Sequence, residues 1–270
     1  LRRYSSRRSA ISPFRRCRPG RSLPPTASSE AAALPRILTV PATGSTNADL
    51  LALAGDRAVD EGTWLRAEQQ TAGRGRQGRV WDSPAGNLYA STLVAIRPDD
   101  PPAAGLALVA AVALEEALRT ALPNPRALQL KWPNDLLLDG AKLSGILLER
   151  GAADVVVGIG VNVAHHPALA DRATTSLRAA GATVDAATLL ESLADRFAAW
   201  LAVWRGQGIA PVAARWSARA HPVGTALSVR LPDQTTLVGQ FLGLDTSGAL
   251  LLGLADGTRH VIHAGDVFVV

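Results

Sequence analysis

Glu68-Gln69-Gln70-Thr71-Ala72-Gly73-Arg74-Gly75-Arg76-Gln77-Gly78-Arg79 is the stretch on which the reading of this chain turns. Three glycines and three arginines share the seven positions from Gly73 to Arg79. Glycine lets a backbone approach a ligand closely or take positive φ. Arginine offers a planar fork of donors that matches carboxylate and phosphate. A loop alternating the two can fold over an anion and hold it from several sides. Ordering such a loop costs entropy, so it is expected to close when ligand arrives. Gly73, Gly75 and Gly78 also spell G-x-G-x-x-G, but a dinucleotide fingerprint needs a strand before it and a helix opening inside it. Here Arg74, Arg76 and Gln77 intervene, and Pro84 and Gly86 in the following V-W-D-S-P-A-G-N block a helix. No G-K-[ST] is present, which excludes a P-loop. What remains is an anion-holding loop or an arginine-rich surface turn.

Composition narrows the function classes. The chain has 270 residues, enough for one large domain and a small one, and its hydrophobic fraction of 47% is ordinary for a globular protein. No apolar run reaches the ~18–20 residues of a membrane span. The single cysteine, Cys17, excludes an intrachain disulfide and speaks against a cysteine metal site, which fits a reducing cytoplasm. The five histidines show no H-E-x-x-H spacing. The net charge of +5 would suggest nucleic acid, but residues 1–21 hold eight arginines and no acid. Without them 20 basic residues face 23 acidic ones, so the basicity belongs to the tail and not to the body. Of the 28 basic residues only Lys131 and Lys142 are lysine. Two lysines in an arginine-rich background point to places where a compact ammonium is needed.

Residues 1–35 are Arg/Ser/Pro-rich without apolar periodicity and read as a disordered extension. They resemble a transit peptide, but four prolines interrupt any amphipathic helix, and a start at Leu1 in a chain without Met favours a non-native or upstream-placed start over targeting. A body over 36–220 is expected to open with a strand at 37–40. A helix capped by Ser45 or Thr46 follows, then strands at 63–67 and 88–96 and a helix at 103–122. Strand 127–132 precedes a hairpin of 136–138 and 143–149 about a type I′ turn at Asp139-Gly140. Strand 155–163 and helices at 185–204 and 209–219 complete it. After His221-Pro222 the hydrophobic pattern switches to period two. Five short strands with P-D-Q, D-T-S-G, A-D-G-T and A-G-D turns over 221–270 suggest a small SH3-like barrel.

Lys131-Trp132-Pro133-Asn134-Asp135 is the second notable segment. A strand ends in a rigid turn there, extending Lys131 as a point charge suited to a carboxylate or phosphate oxygen. Asn134 and Asp135 can cap the turn, and Asp135 can equally touch a Mg²⁺ ion carried by ATP. Taken in order, E-Q-Q-T-A-G-R-G-R-Q-G-R, K-W-P-N-D, K-L-S-G-I-L-L-E and G-I-G-V-N-V resemble the biotin–protein ligase family, and Ser45-Thr46-Asn47 is similar to that family's first biotin-contacting segment. The resemblance covers roughly 37–270. It implies an α+β fold: a mixed central sheet with flanking helices, of the class II aminoacyl-tRNA synthetase/biotin ligase type, with the SH3-like barrel at the C-terminus.

The implied activity joins biotin and ATP as biotinyl-5′-adenylate, then transfers the biotinyl group to a lysine of a biotin carboxyl carrier protein. Biotin and MgATP are substrates, and no tightly bound prosthetic group is expected. Residue by residue, the resemblance implies that Ser45, Thr46, Asn47 and Gln70 meet the ureido head and that Gly73, Arg74, Gly75 and Arg76 close over the acyl-phosphate. Lys131 bridges the carboxylate and α-phosphate and, with Arg76, carries the catalysis. Arg79, Lys142 and Asn162 meet the nucleotide, although Lys142 can also serve only as a brace for its hairpin. Gly145 lines the far wall, and Gly158 and Gly160 let their strand pack closely on its neighbours. Core packing is favoured for Trp81 and Trp132 over a role as adenine platform. Only about 36 unpatterned residues precede the body, where bifunctional members carry a helix-turn-helix, so DNA binding is expected to be absent. A cytoplasmic protein with no membrane partner is expected, and edge strands of the central sheet leave a homodimer open. A lipoate or octanoate–protein ligase shares the catalytic fold and is the alternative, but lacks the G-R-G-R-x-G-R and K-W-P-N-D pair. A nucleic-acid-binding role for the basic arm is the rival of a different class.

Overall fold

The computed structural model describes residues 35–270; the reading of 1–35 as a disordered basic extension, Cys17 included, falls outside the described residues except for Pro35. The chain runs β1 (Ile37–Thr43), α1 (Thr46–Gly55), β2 (Trp64–Gln70), β3 (Leu88–Ala95), α2 (Leu106–Ala121), β4 (Leu128–Lys131), β5 (Asp135–Leu138), β6 (Ala141–Arg150), β7 (Asp154–Val161), α3 (Ala186–Gln207) and α4 (Ile209–Ser217). Five strands follow: β8 (Ala226–Arg230), β9 (Thr236–Leu244), β10 (Leu250–Gly253), β11 (Arg259–Ile262) and β12 (Asp266–Val269). Among the described residues no helix is long and apolar enough to cross a membrane.

Local chemistry accounts for most boundaries. Ser45 caps α1 with its hydroxyl 3.5 Å from the Ala48 amide, a weak bond helped by Asp49 in the first turn. Asp185 caps α3 by accepting from the Thr188 amide at 2.8 Å. Asp139 and Gly140 take φ of 50° and 76°, the two positive values of the type I′ turn expected between β5 and β6. Strands β1 and β2 and helix α3 each run three residues past the ends read from sequence, and two further boundaries differ for visible reasons. The helix expected from Ala103 begins as a 3-10 turn at Ala103–Gly105, where Gly105 lies so close to Trp204 and Ile209 that a Cβ would sit 2.9 and 2.8 Å from them. Strand β7 stops at Val161, after which the Asn162 backbone carbonyl accepts from the Leu177 amide and its side-chain nitrogen donates to the Thr175 carbonyl.

The seven strands β1–β7 form one mixed sheet in the order β1-β2-β3-β7-β6-β5-β4, in which β1 and β2 are the parallel pair. Residues alternate faces along each strand. On β7, Val155, Val157, Ile159 and Val161 enter the main core with α2 and α3, whereas Val156 joins the smaller cluster under α1 with Leu50, Leu65 and Leu93. Trp64 meets Phe197 of α3 edge to face, 5.6 Å between centroids. Helix α1 therefore covers only the β2-β3-β7 part of the second face, and the part over β7-β6-β5-β4 is left for the cavity described below. The five C-terminal strands form an antiparallel sheet, β11-β10-β9-β8-β12, whose Leu227, Val229, Phe241, Leu252 and Val267 run into the main core. Trp132 anchors it by donating its indole N–H to the Gly248 carbonyl at 3.2 Å.

Glu115 on α2 is fully buried and holds Arg215 at 2.6 Å, with Arg119 and Arg219 each at 3.5 Å. Removing a buried charge partner strands the others. Glu115→Ala is expected to cost roughly 3 kcal/mol in urea denaturation.

Candidate active site

One row of cross-strand neighbours builds the floor. Lys131 pairs with Asp135, Asp135 with Gly145, Gly145 with Gly160, and Gly160 with Tyr89, so these side chains share one sheet face. The next row pairs Leu147, Gly158 and Ser91. Glycines at the centre of both rows leave room above the sheet, and a cavity of about 550 Å³ opens there. It takes in Ser45, Thr46, Asn47, Gln70, Arg74, Gly75, Arg76, Arg79, Lys131, Lys142 and Asn162 from the sequence candidates. Gly73 is not among its lining residues. A Cβ on Gly73 would come within 2.6 Å of both the Ser83 hydroxyl and the Trp81 carbonyl, so this glycine is needed behind the loop and not in front of it.

At one end lies a polar cluster. The Gln70 side-chain oxygen accepts from the Thr46 amide at 2.9 Å, and its nitrogen reaches Ser83 at 3.2 Å. Buried Ser91 on β3 reaches both Thr46 (2.7 Å) and the Asn47 oxygen (2.6 Å). The Asn47 nitrogen donates to Glu149 at 2.7 Å. Asn47 can sit this low only because Gly158 lies beneath it: a Cβ there would fall 2.2 Å from the Asn47 oxygen.

The middle corrects one expectation. Trp132 is buried in the core cluster, as expected, and only borders the cavity. Trp81 instead lies in the cavity, flat over Gly160 and Gly145, where added Cβ atoms would sit 2.7 and 3.1 Å from its ring. The cause is the closure of the loop: Trp81 donates its amide to the Gly73 carbonyl at 3.0 Å, and Arg74 bridges Val80, which folds position 81 back over the sheet. Gly145 and Gly160 thus serve a side chain lying on the sheet, more than the packing of strand on strand.

The far end carries the charge. The Lys142 ammonium bonds Asp135 at 2.6 Å and stands 5.6 Å from the Trp81 ring centre. Asp135, the candidate for an ATP-borne magnesium ion, is therefore already paired on one oxygen. No cluster of three His, Cys, Asp or Glu that could hold a metal occurs among the described residues. Lys131 stands 5.5 Å from the Phe268 ring centre and has no ion-pair partner among the described residues. Burial draws its ammonium below the ordinary lysine range, Lys142 and Arg172 pull the same way, and Asp135 and Asp266 oppose them. Tyr89, at the end of the floor row, is pushed up to about 12 chiefly by burial.

The glycine–arginine loop is clasped to the C-terminal sheet. Arg79 pairs with Asp266 on β12, and Arg76 donates to the Gly265 carbonyl at 3.2 Å and lies 4.0 Å from Asp266. Arg79, expected at ATP phosphates, is thus held by a carboxylate from the far end of the chain. Burial raises the Asp266 carboxyl, but hydrogen bonds and charge from Arg79, with Arg76 and Arg172 behind it, outweigh that and hold it below the usual carboxylate range. A depressed pKa of this kind contributes stability above the unfolded value of about 4 and loses it only as pH falls through the lower folded value. Sequence reading missed Ser83, Ser91, Glu149, Arg172, Asp266 and Phe268. Ser91 and Glu149 left a faint signal, a hydroxyl inside an apolar strand and an acid ending K-L-S-G-I-L-L-E; Asp266 and Phe268 left none, because only the fold brings β12 to the loop.

Comparison with known proteins places this arrangement. Residues 43–163 match the model of the Biotin/lipoate A/B protein ligase family, and residues 228–270 match that of the Biotin protein ligase C terminal domain. The chain is 44% identical over 239 residues to a biotin–[acetyl-CoA-carboxylase] ligase of Paracoccus denitrificans, covering 84% of this chain and 97% of that protein. It is 34% identical over 225 residues to a bifunctional ligase/repressor of Escherichia coli, covering 80% of this chain and 68% of that one. Among solved structures, a biotin protein ligase from Aquifex aeolicus in complex with biotin and ATP superposes with a TM-score of 0.77 at 26% identity, covering 87% of this chain and 99% of that one.

The Arg79 side chain is 43% exposed, so the clasp contributes little to global stability and acts on the loop alone. Asp266→Ala is expected to speed tryptic cleavage within 74–79 several-fold, read by mass spectrometry, while shifting the melting temperature by less than about 4 °C.

Proposed function

The chain belongs to the biotin–protein ligase family, and from that premise we propose how its cavity divides the work on biotin and ATP. The reaction is the family's: the biotin carboxylate attacks the α-phosphorus of ATP, giving biotinyl-5′-adenylate and pyrophosphate, and a lysine amine then displaces AMP to form an amide. The relatives' names imply a carboxyl carrier protein as the acceptor.

The ureido ring lies in the polar cluster of Ser45, Thr46, Asn47 and Gln70, where hydroxyl and amide groups complement its one acceptor and two donors. The valeryl chain crosses the glycine floor beside Trp81. Its carboxylate then reaches Lys142, whose ammonium stands over that indole, before it reaches Lys131. Lys131 and Arg76 take the α-phosphate, with Arg74 and Gly75 above it, and Asn162 and Arg172 border the nucleotide. The charge-bridging role expected of Lys131 alone is thus divided between the two lysines, one held by Asp135 and one without an ion-pair partner among the described residues. A magnesium ion arriving on ATP finds the second oxygen of Asp135 near the phosphates. The acceptor supplies the nucleophile, and the enzyme positions and neutralises. Arg79 acts by tying the loop down through Asp266.

The observation that carries this reading is the floor row itself. From Gly160 to Lys131 it spans three strand spacings, ~14 Å, with the polar cluster at one end and both lysines of the chain at the other. The decisive experiment is ATP–pyrophosphate exchange with biotin against lipoate and octanoate. Exchange driven by biotin alone is expected; exchange driven equally by octanoate would overturn the assignment of the head.

A lysine held below its ordinary range loses its charge at a lower pH than a free lysine. Exchange is therefore expected to decline on the alkaline side with an apparent pKa below about 10.4. Lys131→Arg is expected to cut the exchange rate by on the order of a hundredfold, and a rate near that of the unaltered chain would remove Lys131 from the charge bridge.

A further inference from the structure

We propose that Glu149 is a positioning residue that decides which side of the Asn47 amide faces the ligand, and so makes the head of the cavity selective for a ring bearing N–H donors. This deepens the assignment of Thr46, Asn47 and Gln70 to the ureido ring and rests on it.

The oxygen and nitrogen of an asparagine amide have nearly the same shape, and neighbours decide their orientation. Glu149 Oε2 lies 2.7 Å from Asn47 Nδ2, and the Leu147 carbonyl lies 3.4 Å from the same nitrogen. Neither oxygen has a hydrogen to give, so the nitrogen must face them. Asn47 Oδ1 then points to Ser91 and to the space over Gly158. Ser91 has one hydroxyl hydrogen and two oxygens within reach, Thr46 Oγ1 at 2.7 Å and Asn47 Oδ1 at 2.6 Å. Asn47 Oδ1 carries no hydrogen, so the Ser91 hydrogen goes there. Thr46 must then give its own hydrogen to Ser91 or to Gln70 Oε1, which lies 3.1 Å away. Either way Thr46 has none left for a ligand.

The opposite end of the chain is set by backbone. Gln70 Oε1 accepts the Thr46 amide, its nitrogen turns to Ser83, and Ser83 donates to the Trp81 carbonyl at 2.8 Å. Every hydrogen in the cluster is therefore either fixed in direction or, on Thr46, shared between two acceptors inside the cluster. Toward the cavity it presents lone pairs on Thr46 and Asn47, and donors on Gln70 and Ser45. A ring with two N–H groups and one carbonyl satisfies this set. An alkyl or dithiolane head brings no N–H and leaves the cavity-facing lone pairs of both residues without a donor, which is how a site built on hydrogen bonds rejects an analogue lacking them. With an apolar residue at 149, the Asn47 nitrogen keeps only the longer Leu147 contact, and because the Ser91 hydroxyl can accept as well as donate, the amide can turn its nitrogen toward the ligand, setting donor against donor.

Pyrophosphate exchange tests this with the full-length chain. Glu149→Leu is expected to raise the KM for biotin about tenfold or more while leaving kcat and the KM for ATP within about twofold. Glu149→Gln, whose amide oxygen still accepts from Asn47, is expected to stay close to the unaltered chain. A biotin KM unchanged by Glu149→Leu overturns the proposal, as does a parallel loss in kcat and both KM values, which marks a merely structural residue. Should Glu149→Leu fail to fold, Glu149→Asp, one methylene short of Asn47, carries the same expectation in smaller degree, and an unchanged biotin KM there has the same meaning. Asn47→Ala separates the two layers: if it leaves the biotin KM unchanged, the ureido assignment itself fails; if it raises that KM and Glu149→Leu does not, only the role of Glu149 falls.

Discussion

The site depends on a steric constraint in the middle of a sheet. Three glycines, Gly145, Gly158 and Gly160, stand where neighbouring strands would otherwise put side chains on the open face. Their missing Cβ atoms are what let Asn47 and Trp81 lie directly on the backbone. Glycine inside a strand costs packing and entropy, and the apolar residues alternating with these on the opposite face, Val157, Ile159 and Ile146, are all buried and supply compensating packing. The cavity is therefore a property of strand register. A shift of one residue on β6 or β7 would turn valine and isoleucine into it and glycine into the core.

Charge is organised around this floor by segments distant in sequence. Asp135 restrains one lysine, whereas the other faces an aromatic ring from β12. Asp266, also on β12, holds the glycine–arginine loop over the cavity. The C-terminal sheet is thus part of the site, and its two contributions act in opposite ways: Phe268 leaves Lys131 available to an anion, while Asp266 occupies Arg79 and steadies the loop that carries Arg76.

Much of this was legible in sequence, for reasons that differ by element. The hairpin of β5 and β6 could be read because Asp139-Gly140 requires two positive φ values. The five C-terminal strands could be read because period-two alternation is local. The G-R-G-R-x-G-R and K-W-P-N-D segments identified the chemistry because glycine and arginine, and a lysine against a proline turn, are residue types chosen for what they contact. Trp81 was misread as a core residue, since an aromatic beside a loop gives no sign of which way the loop will fold it. Lys142 was left between two roles, since its partner Asp135 and its neighbour Trp81 meet it only across strands and through the folded loop.

By itself the sequence determined the elements, the turn chemistry and the candidate groups for holding an anion, because these follow from propensities and from side-chain chemistry within a few residues. Tertiary structure alone decided three things: that the glycines form a floor, that Glu149 orients Asn47 from a hundred residues away, and that Asp266 reaches back to Arg79. Each of these is a pairing across the sheet or between the two sheets. Which strand lies beside which is set by burial of the whole core, and no local pattern records it.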